Sequence, residues 1–164
     1  MPRRHCLRSV LFFASFACFA GAPLRTAAAE VQLVRVWPGW RDADSFDRIG
    51  GYFGGGKTHG DIVARTHADA AAGYYFLVRL TSVAAVPDAK FILHVIRPDA
   101  PEAMTFTFPA AVSAKGKVFQ LGLTGADWPK GKLAHPVAWK LELQAADGRV
   151  LAAQKSFLWE KPAK

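Results

Sequence analysis

The sequence contains two cysteines, Cys6 and Cys18, and none after them. The rest of the chain therefore cannot form a disulfide, a thiolate metal site or a cysteine nucleophile. An exported domain without disulfides depends on its apolar core for stability. The roughly 135 residues after Ala29 are enough to build such a core.

The apolar run over residues 10–20 is too short to span a bilayer, which takes about 20 residues. Three arginines, Arg3, Arg4 and Arg8, precede this run, and the small residues 27–29 follow it. A charged start, a short apolar run and a small-residue cleavage site are the layout of a secretory signal peptide. We therefore expect residues 1–29 to be removed and residues 30–164 to form one domain. The mature protein is expected to be periplasmic or secreted, without a stable membrane anchor.

Cys18 offers an alternative, in which a lipoprotein signal is cut just before an acylated cysteine. Such a signal usually has a Leu-like residue three positions before the cysteine, and this chain has Ser15 there. The pattern favours cleavage after Ala29.

The mature domain carries little excess charge of either sign. The whole chain has a formal charge of +8. Its first 29 residues hold four arginines and no acid, which leaves 17 basic against 13 acidic residues, or +4. A charge of +4 over about 135 residues is ordinary for a soluble domain, and it gives no sign of the basic face that nucleic-acid binding needs. The charge therefore predicts no nucleic-acid partner.

Apolar and polar residues alternate through most of the mature chain, which is typical of half-buried antiparallel strands. Over residues 73–81, the side chains of Tyr74, Phe76, Val78 and Leu80 share one face. Further strands are predicted over residues 31–36, 61–66, 90–96, 104–108, 119–123, 137–144 and 150–159. The Asp-Gly pair at 147–148 predicts a hairpin between the last two strands.

Over residues 45–53 the apolar residues recur with helical spacing instead of alternating, which predicts one short helix near the mature N-terminus. Phe46, Ile49 and Phe53 follow helical spacing, Asp44 or Ser45 can cap the start, and Gly54 ends the segment. Seven or eight short strands with one helix predict an all-β antiparallel β-sandwich.

The C-terminal segment 139–157 resembles the closing hairpin of exported bacterial immunoglobulin-like or fibronectin-III-like domains. It covers the last third of the mature chain and contains the Asp-Gly turn. The resemblance implies an immunoglobulin-like sandwich and no particular activity. The chain departs from immunoglobulin domains proper by lacking both bridge cysteines and by having the early helix.

Residues 51–58 match the P-loop pattern G-x-x-x-x-G-K-[ST], in which backbone amides hold phosphates and the lysine reaches the terminal ones. A true P-loop follows a buried strand and opens a helix. Here a predicted helix precedes the match and a turn and strand follow it. We therefore interpret the segment as a glycine-rich loop and expect no nucleotide cofactor.

The potential metal ligands and catalytic residues do not match a known metal-binding or catalytic motif in the sequence. His59 and Asp61 share a face if they lie in a strand, while His67, His94 and His135 are scattered. A metal site requires several converging ligands, so no metal is predicted. The sequence lacks the G-x-S-x-G pattern, its acids fall mostly in predicted turns, and we expect no enzyme activity.

The tryptophans are the remaining candidates for binding. Trp37 and Trp40 flank a predicted turn, and Trp128 precedes Pro129. Burial favours Trp37 as a core residue, so Trp40 and Trp128 are the candidate surface binding residues. Trp139 and Trp159 fit the strand pattern and are expected in the core.

Together these features predict a non-catalytic exported binding or assembly module with an unknown protein or glycan partner. The alternative is a carbohydrate-binding or accessory domain of a cell-envelope hydrolase system. Exposed tryptophans along one sheet face would favour the alternative, and converging acids or histidines in a cleft would favour an enzyme.

Overall fold

A computed structural model of the chain describes residues 31–46, 62–129 and 131–160. The predicted signal peptide, the P-loop match, the His59–Asp61 pair and most of the predicted helix lie outside these ranges. Within them, no helix has the length and apolar composition needed to cross a membrane.

The described residues form two four-stranded sheets. The strands of sheet A lie in the order β1-β3-β6-β2. Their bounds are Val31–Arg41 (β1), Ile62–Arg65 (β2), Gly73–Ser82 (β3) and Lys117–Thr124 (β6). Strands β1, β3 and β6 are antiparallel, and β2 pairs with β6 in parallel.

Sheet B is antiparallel throughout, with its strands in the order β5-β4-β7-β8. Their bounds are Val86–Arg97 (β4), Ala100–Val112 (β5), Ala138–Gln144 (β7) and Val150–Lys155 (β8). Short 3₁₀ turns cover Gly125–Asp127, Gly131–Leu133 and Phe157–Glu160.

The inward faces of both sheets contribute to one apolar core. The Phe76 ring of β3 meets the Trp139 ring of β7 with centroids 5.7 Å apart. Deeper in the core, Phe91 of β4 and Phe119 of β6 pack edge to face at 5.0 Å. Such aromatic pairs add about 0.5–1.5 kcal/mol to the stabilisation from buried area. These contacts confirm that Trp139 touches the Tyr74–Leu80 face.

All eight predicted strands are present, and the Asp-Gly hairpin is confirmed. Gly148 has a φ of +83°, a conformation that favours glycine. Its N–H donates to the Ala145 carbonyl at 2.9 Å, and the Arg149 N–H donates to Asp147 Oδ1 at 3.0 Å. The turn therefore uses both residues of the Asp-Gly pair.

Strand β1 continues through residues 37–40, where the sequence predicted a turn. Trp37, Pro38, Gly39 and Trp40 all pair with β3. The prediction is wrong because β1 is an edge strand of sheet A, where proline is tolerated since its missing N–H can face solvent.

The last strand ends earlier than predicted, at Lys155. Trp159 lies in the following 3₁₀ turn, half-buried, with its ring 5.9 Å from that of His94. It therefore lies against the outer side of sheet B and does not belong to the core. Of the predicted helix, a helical turn over residues 44–46 is described.

A bulge in β1 determines which of its side chains face the core. Leu33 pairs with Leu80 and Arg35 with Arg79, so Val34 is an extra residue without a partner. One extra residue reverses the alternation that follows it. Val36 is buried as a result, while Arg35 and Trp37 face outward.

Candidate functional site

The outer face of sheet A carries arginines from three of its strands. The register aligns Arg35 with Arg79, Trp37 with Leu77, and Arg41 with Gly73 across β1 and β3. Because side chains alternate along a strand, all of these positions point away from the core. Arg65 of β2 lies on the same face, because Arg65 and Tyr75 both pair with Gly122 of β6, one on each side.

One part of this face is covered. Tyr75 is 1% exposed although it points away from the core. The Phe46 ring lies 4.9 Å from the Tyr75 ring, and the Arg65 guanidinium lies 4.8 Å from the Phe46 ring. The Tyr75 hydroxyl donates to the Ala71 carbonyl at 2.6 Å and accepts from Arg65 Nε at 2.8 Å. Arg65 is therefore held in a structural role.

The other part is open, and we call it the Arg–Trp face: Arg35, Trp37, Arg41, Leu77 and Arg79. Trp37 is 37% exposed, and the Arg35 guanidinium lies 4.6 Å from the centroid of its ring. The expectation that Trp37 belongs to the core is wrong, because the bulge at Val34 turns its side chain outward. Among the described residues, no acidic side chain forms an ion pair with Arg35, Arg41 or Arg79.

A depression of about 260 Å³ lies on this face, beside the Trp37 indole. Gly39 contributes to it, since a Cβ atom at this position would have no neighbour within 4 Å. The other lining residues come from β1, β3 and the turn after β1: Trp37, Pro38, Trp40, Arg41, Ser45, Tyr75 and Leu77. An indole, aliphatic surface and the Arg41 side chain thus border one open space.

Trp40, a predicted surface binding residue, is half-buried. Its ring packs against the apolar core, and its Nε1 donates to Asp42 Oδ1 at 2.9 Å. Its side chain faces the core because Trp40 lies four residues after the buried Val36, so both point to the same side of the strand. Trp40 also contributes to the lining of the depression, but Trp37 supplies the more exposed indole.

Trp128, the other predicted surface residue, is 4% exposed, so that prediction is wrong. Its ring lies 4.6 Å from the Tyr74 ring, and its Nε1 donates to the Gly131 carbonyl at 3.2 Å. The segment between β6 and β7 folds back over the end of the core and covers the indole. Trp128 therefore has a structural role.

The described histidines lie in three separate places. His67 Nε2 is 3.2 Å from Asp127 Oδ2, His94 Nδ1 is 2.9 Å from the Thr105 hydroxyl, and His135 Nδ1 is 3.3 Å from the Tyr74 hydroxyl. In the described part of the chain, no three His, Cys, Asp or Glu side chains are grouped to hold a metal ion.

The His67–Asp127 pair lies beside a group of hydrogen bonds that connects the ends of β2 and β6. The Thr124 N–H donates to the Thr66 hydroxyl at 3.0 Å, and the Thr124 hydroxyl accepts from the His67 N–H at 3.0 Å. The Thr124 hydroxyl also donates to the His67 carbonyl. These hydrogen bonds join the residues that follow β2 to the end of β6, and they help to hold β2 at the edge of sheet A.

Comparison with known proteins yields no relative for this chain: no family model matches it, and no curated protein matches its sequence. Among the described residues, the Arg–Trp face combines exposed arginines, an exposed indole and a depression.

Proposed function

We propose that the protein is an exported, non-catalytic binding module that uses the Arg–Trp face as its binding surface. The observation that carries this proposal is the open depression bordered by the exposed Trp37 indole and by Arg41, with Arg35 stacked on the same indole. Neither arginine has an acidic partner among the described residues. Of the other candidates that the structure describes, Trp128 is buried and Trp40 is half-buried. The three described histidines each contact another polar side chain. Export is supported by the charged start, apolar run and small residues of the first 29 positions.

The strand order supports an immunoglobulin-like assignment within this proposal. The chain passes from β3 to the β4–β5 hairpin in the other sheet, returns for β6, and crosses again to the β7–β8 hairpin. Immunoglobulin and fibronectin-III sandwiches use the same crossing pattern with Greek-key connections. The parallel strand β2 is an addition at the edge of sheet A.

The second candidate, a carbohydrate-binding or accessory domain, is favoured by Trp37. An exposed indole on a sheet face beside a depression provides the flat apolar surface that a sugar ring can contact. The first candidate leaves the ligand open, and this one restricts it to glycans.

A ligand panel tests the binding proposal. Purified mature protein is run through native gels containing dextran, polygalacturonate, polyglutamate or a single-stranded oligonucleotide, and retardation is measured. We expect at least one polymer to retard the protein, with the effect lost in Trp37→Ala. Phe157→Ala is the matched control, because Phe157 is 87% exposed and lies outside the face. No retardation by any polymer, or retardation unchanged in Trp37→Ala, would overturn the proposal.

A further inference from the structure

Charge is divided unequally between the two sheets. The strands of sheet A contain Arg35, Arg41, Arg65, Arg79 and Lys117 and no Asp or Glu. The strands of sheet B contain both signs, four basic and three acidic residues. This clustering is not visible in the sequence, because strand pairing gathers arginines that are distant along the chain. An attractive potential for anions follows on the side of sheet A.

Two of these arginines occupy positions that are unfavourable without a ligand. Arg35 and Arg79 are direct cross-strand partners, and both are exposed. Like charges directly opposite each other destabilise an antiparallel pair. No described acid forms an ion pair with either of them. An anion that bridges the two guanidinium groups would remove this repulsion.

The chemistry of the two groups favours a carboxylate. A guanidinium presents its N–H donors in one plane and can bind a carboxylate with two parallel hydrogen bonds. Arg35 lies against the Trp37 ring, which orients the guanidinium and leaves its in-plane donors available. The Arg35–Arg79 row can therefore hold a planar anion at the border of the depression.

The depression lies next to this row and can hold the rest of the ligand. Trp37 and Leu77 form the neighbouring cross-strand pair, and Gly39 leaves the next position open. Positions two apart on a strand are separated by about 7 Å. A sugar ring in the depression could thus reach the arginine row with its own carboxylate group.

We propose that the Arg–Trp face binds a polysaccharide whose sugar units carry carboxylate groups. This inference rests on the proposed function and specifies its ligand. A single-stranded nucleic acid would be held by several exposed aromatic rings for successive bases, whereas Trp37 is the exposed indole of this face and Tyr75 is buried. A compact depression that offers one indole, Arg41 and Ser45 also suits a polar ring better than an extended acidic peptide.

Calorimetry with polygalacturonate and its fully methyl-esterified form provides the test, because the two polymers share a backbone and differ in carboxylate charge. We expect the mature protein to bind polygalacturonate more tightly, and added salt to weaken this binding through screening. Arg35→Gln and Arg79→Gln should each weaken it by about tenfold or more, since each removes charge-assisted hydrogen bonds. Lys90→Gln on sheet B is the matched control and should bind normally.

Melting temperatures show whether each variant is folded, and both arginines are exposed, so no loss of fold is expected. Equal affinity for the esterified polymer would overturn the carboxylate inference and leave the binding proposal standing. Tighter binding of polyglutamate or the oligonucleotide would also overturn it. Binding of no polymer at all would overturn both.

Discussion

At the scale of single residues, Trp139 lies in the core and Trp37 lies on the outer face of sheet A, where we propose that ligands bind. Trp139 is 8% exposed and contacts Phe76 across the core. Truncation of a buried tryptophan to alanine costs about 3–5 kcal/mol. Trp37→Ala should cost less, about 2 kcal/mol or below, because Trp37 is 37% exposed on the outer face of sheet A and its truncation leaves no cavity in the core. Urea unfolding of both variants measures the difference, and equal losses would contradict the assignment of the two faces.

Glu142 gives the protein a pH-dependent contribution to stability. Its Oε1 is 2.6 Å from Lys140 Nζ, and its Oε2 accepts from Gln144 Nε2 at 2.9 Å. The hydrogen bond from Lys140, followed by that from Gln144, lowers the pKa of Glu142 below its ordinary value of 4.5. A lowered folded-state pKa stabilises the protein above the unfolded-state pKa, and this contribution is lost as the pH falls through the folded-state pKa.

The free energy of unfolding of the wild type should therefore decrease more steeply than that of Glu142→Gln between about pH 5 and pH 3. Urea titrations at several pH values measure both curves. Parallel curves would show that the ionised carboxylate of Glu142 does not contribute to folding.

At the scale of elements, the bulge in β1 determines which side chains of this strand lie on the proposed binding surface. Val34 is the unpaired extra residue and is 52% exposed. Deletion of Val34 should restore a regular strand with Val36 still inward and Trp37 still outward, and should change stability by less than about 1 kcal/mol. Deletion of the buried Val36 should cost several times more, about 2–5 kcal/mol. Thermal melts of the two deletion variants compare them, and similar losses would contradict the position of the bulge.

The strands could be predicted from the sequence more completely than the candidate site. Alternation identified all eight strands, because each has one face in a shared core. Leu33 and Val34 interrupt the alternation of β1, but the predicted strand ends at residue 36 and says nothing about the direction of Trp37. The large apolar area of the indole favours burial, and the structure shows it facing outward. Trp128 was placed at the surface because its burial depends on a connecting segment that folds back onto Tyr74. The arginine row could not be predicted, since Arg35 and Arg79 meet only through strand pairing.

At the scale of the whole molecule, the two sheets share one core but differ in the charge of their strands. Their inward faces form one apolar core, on which a domain without disulfides depends for its stability. The outward face of sheet A collects arginines around an open depression, and sheet B carries both signs of charge. The binding proposal therefore concerns one side of the molecule only.

The most direct test of this claim is to fill the depression with Gly39→Leu and to measure polygalacturonate affinity by calorimetry. The added side chain enters open space at a position whose backbone does not require glycine, so the fold should be kept. We predict at least an approximately tenfold loss of affinity at an unchanged or higher melting temperature. Thr105→Leu, which adds the same side chain at an exposed position of sheet B, should bind normally. Wild-type affinity in Gly39→Leu would contradict the claim that ligands bind on the Arg–Trp face.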